Sequence, residues 1–226
     1  GGSPGVVNMI SGHGDPCGKP LTTHPLVHRI SFTGGPSTAR HVIRNSAENF
    51  AEVSLELGGK SPFIVFDDAD IESAVNGSIA GIFGASGQSC VAGSRLYLHE
   101  SIADEFLNKM LNLASKIKLG DPLQEETQMG PLATLGQMNL IENEISNAKA
   151  QGAKILHGGK RPSNPNGGWF YEPTIVDCHD QKLKIVDTEL FGPVLSVIRF
   201  KSEEEVIKLA NDTKYGLAAG VFTKNG

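Results

Sequence analysis

Ser61-Pro-Phe-Ile-Val-Phe66 is followed by Asp67-Asp-Ala-Asp70, by Ile71-Glu-Ser-Ala-Val-Asn-Gly-Ser-Ile-Ala-Gly-Ile-Phe83, and, beyond a glycine-rich turn, by Arg95-Leu-Tyr-Leu-His99. The first and last pieces are short β-type runs. Between them Ile71, Ala74, Val75, Ile79, Ile82 and Phe83 recur at spacings of three and four, the mark of an amphipathic helix. Asp70 stands where a cap can accept from first-turn N–H groups. The helix is expected to run out near Gly84 to Gly87. The order is strand, helix, strand.

The pattern continues outward. A second helix is expected from Ser101 as N-cap through Ile102, Phe106, Leu107, Met110, Leu113 and Ile117, stopping at Gly120 before Asp121-Pro122. A third spans Leu135 to Gln151, with Gly152 as its stop. A fourth begins at Ser202, with Glu205 three residues on as in a capping box, and is expected to bury Val206, Ile207, Leu209 and Ala210. Further strands are read at Lys154 to His157, Thr174 to Val176, Val194 to Phe200 and Leu217 to Phe222, with a surface loop at Gly158 to Gly168. Alternating strands and helices imply an α/β fold with a mainly parallel sheet. The last strand stops almost at the terminus, so the sheet is expected to be truncated.

Composition narrows the function classes. With 226 residues, 39% of them hydrophobic, the chain can bury a real core as one large domain or two small ones. A net charge of -5, without a basic run, argues against a nucleic-acid partner. No apolar stretch approaches the roughly 20 residues of a membrane span, and Gly1 to Ile10 lacks the form of a signal peptide. Cys17, Cys90 and Cys178 are odd in number and widely spaced, with no metal-ligand pattern, so free thiols in a reducing cytoplasm are expected.

Five segments carry chemical interest. Gly12-His-Gly-Asp-Pro-Cys-Gly18 follows the apolar Val6 to Ile10 and looks superficially like a dinucleotide-binding glycine fingerprint, with one spacing a residue too long. Phe32-Thr-Gly-Gly-Pro-Ser-Thr-Ala39 offers another glycine turn, with Ser37 or Thr38 placed to open a helix whose start could face a phosphate. The ordinary reading of both is a tight turn needing positive φ. Glu56, in Val53-Ser-Leu-Glu-Leu-Gly-Gly-Lys60, sits between leucines that disfavour its charged form, as suits a general base; an ion pair with Lys60 is the alternative. Cys90, in Gly87-Gln-Ser-Cys-Val-Ala-Gly93, lies between a helix end and a strand, where a loop can present a side chain. A lone cysteine is more often a small core residue, and Cys17 and Cys178 are read that way. Glu189-Leu-Phe-Gly-Pro-Val194 puts a carboxylate at the entrance of an apolar strand, where a plain strand-capping turn is the other reading.

Taken in this order and at these separations, Phe32-Thr-Gly-Gly, Leu55-Glu-Leu-Gly-Gly-Lys, Gly87-Gln-Ser-Cys and Glu189-Leu-Phe-Gly-Pro resemble the aldehyde dehydrogenase superfamily, and the resemblance runs along essentially the whole chain. It implies a three-layer αβα fold, with residues 1–57 as the tail of the dinucleotide-binding domain and residues 58–226 as most of the catalytic domain. It implies NAD or NADP as cofactor, a small-molecule aldehyde as substrate and a homo-oligomer, dimer or tetramer, as the full-length assembly. Cys90 would be the nucleophile, forming a thiohemiacetal whose hydride passes to the nicotinamide and then a thioester. Glu56 would activate the water that hydrolyses it. The Cys90 amide would form half of the oxyanion hole. Phe32, Thr33, Gly34, Gly35, Leu57 and Gly58 would line the cofactor. Glu189 would accept from the nicotinamide ribose hydroxyls, Phe191 would pack on the cofactor and Gln137 would touch it.

Family chains are roughly twice this length, so the resemblance also implies that the N-terminal cofactor half and the asparagine of the oxyanion hole are absent, and that this chain alone is inactive. It departs from the family at Gly34-Gly35-Pro36, where many members carry Gly-Ser-Thr, and at Ala39, where they carry glycine. Ser89 and Val91 flank the nucleophile and suggest a moderately apolar aldehyde. The rivals are a cysteine-dependent hydrolase or esterase, for which His99 is the nearest histidine in sequence, and a non-catalytic interaction fragment.

Overall fold

The structure, a computed structural model, describes residues 2–163 and 167–225; Asn164, Pro165 and Asn166 of the expected surface loop lie outside the described residues. The chain divides into two compact units, Gly1–Gly58 and Gly59–Gly226.

In the first unit a short helix α1 (Lys19–Thr23) precedes strand β1 (Arg29–Thr33), helix α2 (Pro36–Ser46) and strand β2 (Glu52–Glu56). The two strands pair in parallel, Arg29 opposite Glu52 through Thr33 opposite Glu56. Neither strand was expected, although Arg29-Ile-Ser-Phe-Thr33 and Glu52-Val-Ser-Leu-Glu56 both alternate polar and apolar residues as a half-buried strand does. Helix α2 buries Ala39, Val42 and Ser46. It is capped by Gly35 with Pro36 in its first turn, where a fixed φ suits the helix and the missing N–H costs nothing. Ser37 and Thr38 therefore lie inside the first turn and are not its caps. Gly35 is extended at φ -74, ψ 150, so the positive-φ expectation fails there. At Gly34 a Cβ would lie 2.7 Å from Phe32 Cζ, so a side chain there would have to displace the Phe32 ring.

The superficial likeness to a fingerprint at Gly12 to Gly18 has no structural counterpart. Val6, Val7, Met9 and Ile10 are exposed and outside any strand, and Gly14–Gly18 is a single wide turn leading into α1. Without a strand delivering the glycines to a helix start, the phosphate-cradling geometry is missing.

The second unit holds β3 (Pro62–Val65), α3 (Ile71–Phe83), β4 (Arg95–His99), α4 (Ala103–Ala114), α5 (Leu135–Ala150), β5 (Lys154–His157), β6 (Thr174–Asp177), α6 (Lys184–Asp187), β7 (Val194–Phe200), α7 (Glu203–Asn211) and β8 (Gly220–Phe222). Its six strands form one sheet in the order β5-β6-β7-β4-β3-β8, parallel except where β5 meets β6. Successive side chains on a strand point to opposite faces. Thus Leu96, Leu98, Leu195 and Val197 pack with Ala74, Val75, Phe106 and Met110 of α3 and α4. Tyr97, Val194, Ile198 and Phe200 pack with Met138, Ile141, Ile145 and Val206 of α5 and α7. The result is the expected three-layer α/β arrangement.

Asp70 caps α3 by accepting from Ser73 N at 2.8 Å, and Ser202 caps α7 from Glu205 N at 3.3 Å. Other expectations need correction. Helix α4 starts at Ala103 without a side-chain cap, because Ser101 Oγ is bound to His99 Nδ1 at 2.8 Å. It ends at Ala114, since the chain beyond is drawn off where Leu119 bridges Met129. Ile207 is exposed, one step round α7 from the buried Val206 and Ala210.

A buried arginine ties three parts of the second unit together. Arg95 Nε donates to Lys60 O at 2.7 Å, Nη1 to Tyr97 Oη at 2.9 Å, and Nη2 to Ala210 O at 2.9 Å. It thereby satisfies a terminal carbonyl of α7 and ties Gly59-Lys60 to the sheet.

Candidate active site

In the second unit the segments singled out in the sequence converge. Helix α3 ends in a turn, Gly84–Gly87, in which Ala85, Ser86 and Gly87 all adopt left-handed backbone, at φ 49, 56 and 70. Cys90 follows three residues later, half-buried, before the chain enters β4. Its carbonyl abuts Gly59, where a Cβ would lie 2.4 Å from Cys90 O. A Cβ on Gly87 would lie 2.1 Å from Gly192 O, so the turn before Cys90 also packs directly on the Glu189-Leu-Phe-Gly192 loop. Among the described residues the Cys90 N–H donates to no acceptor.

Glu189 is half-buried, and its Oε1 accepts from Gly59 N at 3.1 Å. Its Oε2 accepts nothing from the described residues, which leaves one carboxylate oxygen able to receive a hydroxyl. Phe191 holds a left-handed backbone at φ 45 with its ring 40% exposed. Gln137, in the first turn of α5, donates from Nε2 to Leu190 O. This carboxylate with a free oxygen, beside a half-open ring, fits a ribose carrying neighbouring hydroxyls.

Behind the loop lies Lys60, fully buried, with Nζ unpartnered. Burial, assisted by the Arg95 charge, lowers its pKa to about 8; Cys178, Glu189 and Asp187 act in the opposite sense. Lys60 thus pairs with no carboxylate among the described residues. Lys60, Ser89, Ser94 and Glu189 help line a cavity of ≈ 10 Å³, about the room of one water.

In the first unit the β1–β2 register sets Thr33 opposite Glu56, and Gly34 N donates to Glu56 O at 3.0 Å. Phe32 to Gly35 and Glu56 are therefore neighbours. Glu56 itself is exposed there, not enclosed by its flanking leucines. Leu57 and Gly58 follow as half-buried residues.

The other cysteines differ from Cys90. Cys178 is a core residue, and burial pushes its thiol up to about 11. Cys17 lies against Gly12 in the first unit. His99 has both ring nitrogens engaged, Nδ1 by Ser101 and Nε2 by Lys201 O at 3.2 Å. It is not placed as a thiol's base. No group of His, Cys, Asp and Glu among the described residues could hold a metal, and no described helix is long and apolar enough to cross a membrane. The sequence reading did not single out Ser86 or Gln88. Gly87 hinted at the turn, but nothing marks Ala85 and Ser86 as left-handed.

The family model described as the aldehyde dehydrogenase family matches residues 1–226. The chain belongs to the aldehyde dehydrogenase family. It is 55% identical over 222 residues to the (Z)-2-((N-methylformamido)methylene)-5-hydroxybutyrolactone dehydrogenase of Acinetobacter baylyi, covering 98% of this chain and 45% of that protein. It is 45% identical to the chloroplastic betaine aldehyde dehydrogenase of Atriplex hortensis, with 98% and 44% covered. A solved betaine aldehyde dehydrogenase of Staphylococcus aureus, in complex with NAD+, superposes with a TM-score of 0.92 at 44% identity over 95% of this chain and 43% of that one. The chain thus spans less than half the length of these family members.

Proposed function

We propose that the full-length protein containing this chain oxidises an aldehyde to a carboxylic acid with NAD or NADP, using Cys90 as nucleophile and Glu56 as general base. The observation that carries this reading is the convergence of the Cys90 turn, Gly59 and the Glu189 loop in the second unit. The NAD+ complexes of related enzymes support the cofactor.

In this reading the Cys90 thiolate adds to the carbonyl carbon, forming a C–S bond and pushing charge onto the oxygen. The unbonded Cys90 N–H receives that charge. A bound nicotinamide would supply the acceptor for the hydride lost from that carbon, which would leave a thioester on Cys90. Glu56 then takes a proton from water, whose oxygen attacks the thioester carbon; the C–S bond breaks, and acid and thiolate are released. Glu189 holds the ribose through its free oxygen, Phe191 packs on the cofactor, and Phe32, Thr33, Gly34, Gly35, Leu57 and Gly58 line its path. The start of α2 faces the pyrophosphate. Turnover belongs to the longer protein, and this chain alone is inactive.

In the full-length enzyme Cys90→Ser should abolish acid formation, a loss of at least roughly a thousandfold in kcat. Glu56→Gln should give a burst of reduced cofactor followed by slow turnover, because hydrolysis of the thioester is impaired. Turnover by Cys90→Ser within tenfold of the natural enzyme would refute the assignment.

A further inference from the structure

The backbone that carries Cys90 is held in a costly conformation by contacts from one distant segment. Ala85 and Ser86 are non-glycine residues in left-handed backbone, where their Cβ crowds the following carbonyl oxygen. Such geometry persists only where surrounding contacts over-determine it. Here those contacts come from residues 130–133. Ser86 Oγ donates to Gly130 O at 2.9 Å, Gln88 Oε1 accepts from Ala133 N at 2.8 Å, and Gln88 Nε2 points at Pro131 O at 3.5 Å. Ser86 is 5% exposed, so its hydroxyl has little water as an alternative.

The same segment reaches the other side of the site. It runs through the Thr134 cap into α5, where Gln137 donates to Leu190 O. Leu132 and Ile141 close on Gly192, the residue against which Gly87 packs. One stretch of chain therefore holds both the turn before Cys90 and the loop after Glu189.

We propose that Gln88 is a positioning residue for the reaction: its side-chain amide clamps the Cys90 turn onto residues 130–133 and so fixes the thiol relative to the Glu189 loop. The proposal rests on the reading of Cys90 as nucleophile. Gln88 touches no reacting atom, and its substitution acts on where the sulfur stands. Loss of the clamp should lower kcat and leave cofactor affinity nearly unchanged, because Gln137 and Gly59 still hold the Glu189 loop.

The test compares the natural full-length enzyme with Gln88→Ala, Gln88→Glu and Ser86→Ala. Each is assayed for kcat, for KM of cofactor and aldehyde, and for the rate of Cys90 alkylation by iodoacetamide across pH, with buried Cys178 as internal reference. Misplacement by an ångström can cost about a hundredfold, so Gln88→Ala should lose roughly tenfold to a hundredfold in kcat with cofactor KM changed less than about twofold. Its Cys90 alkylation profile should shift while the Cys178 rate does not. Gln88→Glu keeps the acceptor for Ala133 N and should recover part of both losses. Ser86→Ala removes the hydroxyl clamp alone and keeps the test decisive should Gln88→Ala fail to fold; it should show a smaller fall in kcat of the same kind. Natural kcat and alkylation in folded Gln88→Ala, or losses matching its unfolded fraction, would overturn the clamp. Cys90→Ser, assayed in parallel, separates the failures: its full activity would remove the nucleophile reading, whereas an inactive Cys90→Ser beside a normal Gln88→Ala would remove the clamp alone.

Discussion

Lys60 shows how far one residue can be pushed by its surroundings. A lysine ammonium buried without a hydrogen-bond partner loses its hydration, and burial lowers its pKa from the ordinary 10.5 to about 8. Between these values the unfolded chain binds a proton that the folded chain does not, so stability attributable to Lys60 rises as pH climbs from about 8 to 10.5. Below pH 8 the ammonium is charged in both states and the full penalty applies, on the order of 3 kcal/mol from the shift. Replacement by a hydrophobic residue of similar size removes it. Lys60→Met should therefore be more stable than the natural protein in urea at neutral pH, by about 1–3 kcal/mol, with the gap closing towards pH 10.5. A gap that is absent, or that stays constant with pH, would contradict a buried charged lysine. The chain keeps this ammonium where the negative charges of Glu189 and Asp187 oppose its neutralisation.

At the scale of elements, α3 contains two glycines with different duties. A Cβ at Gly77 would approach Phe222 Cζ at 3.0 Å and Phe63 Cζ at 3.3 Å, two rings that pack 5.1 Å apart, whereas Gly81 has open space. Alanine in a helix interior is favoured over glycine by roughly 1 kcal/mol, so Gly81→Ala should raise the melting temperature by about 2–4 °C. Gly77→Ala should raise it less or lower it, because both rings must shift. Equal gains in calorimetry would show that Gly77 is not a packing requirement. The same helix shows what the sequence could disclose: spacing and Asp70 located α3, and Ser202 located α7, because local capping and periodicity specify them. Helix α4 was overextended because the apolar Ile117 continues its stripe, while a bridge between Leu119 and Met129 ends it. Cys90, Glu189 and Glu56 stood out as candidates only because four motifs in order resemble one family; each motif read alone left an ordinary structural role open. The exposure of Glu56, the unpartnered Lys60 and the hold of residues 130–133 on Gln88 depend on chain segments far apart, and no local pattern carries them.

For the whole molecule, the two units bury very different amounts of apolar surface. The second places a hydrophobic cluster on each face of a six-stranded sheet. The first has a two-stranded sheet, and its buried side chains among the described residues are Ala39, Val42, Ser46 and Ala51, while Val7, Met9 and Phe50 are almost fully exposed. A fully buried aliphatic side chain contributes roughly 1.5–3 kcal/mol, and two-stranded sheets are marginal on their own. Hydrogen exchange followed by mass spectrometry on this chain should therefore find the β1, α2 and β2 amides exchanging early through local opening, and those of β4 and β7 only on global unfolding. Matching protection in both units would mean that the first is stabilised by something other than the residues it buries itself. Early exchange would place Thr33, Gly34 and Glu56 on the least stable part of the chain, since only the β1–β2 ladder aligns them. Thr33, Gly34 and Glu56 would then be ordered by binding, and Cys90, Glu189 and Phe191 by folding.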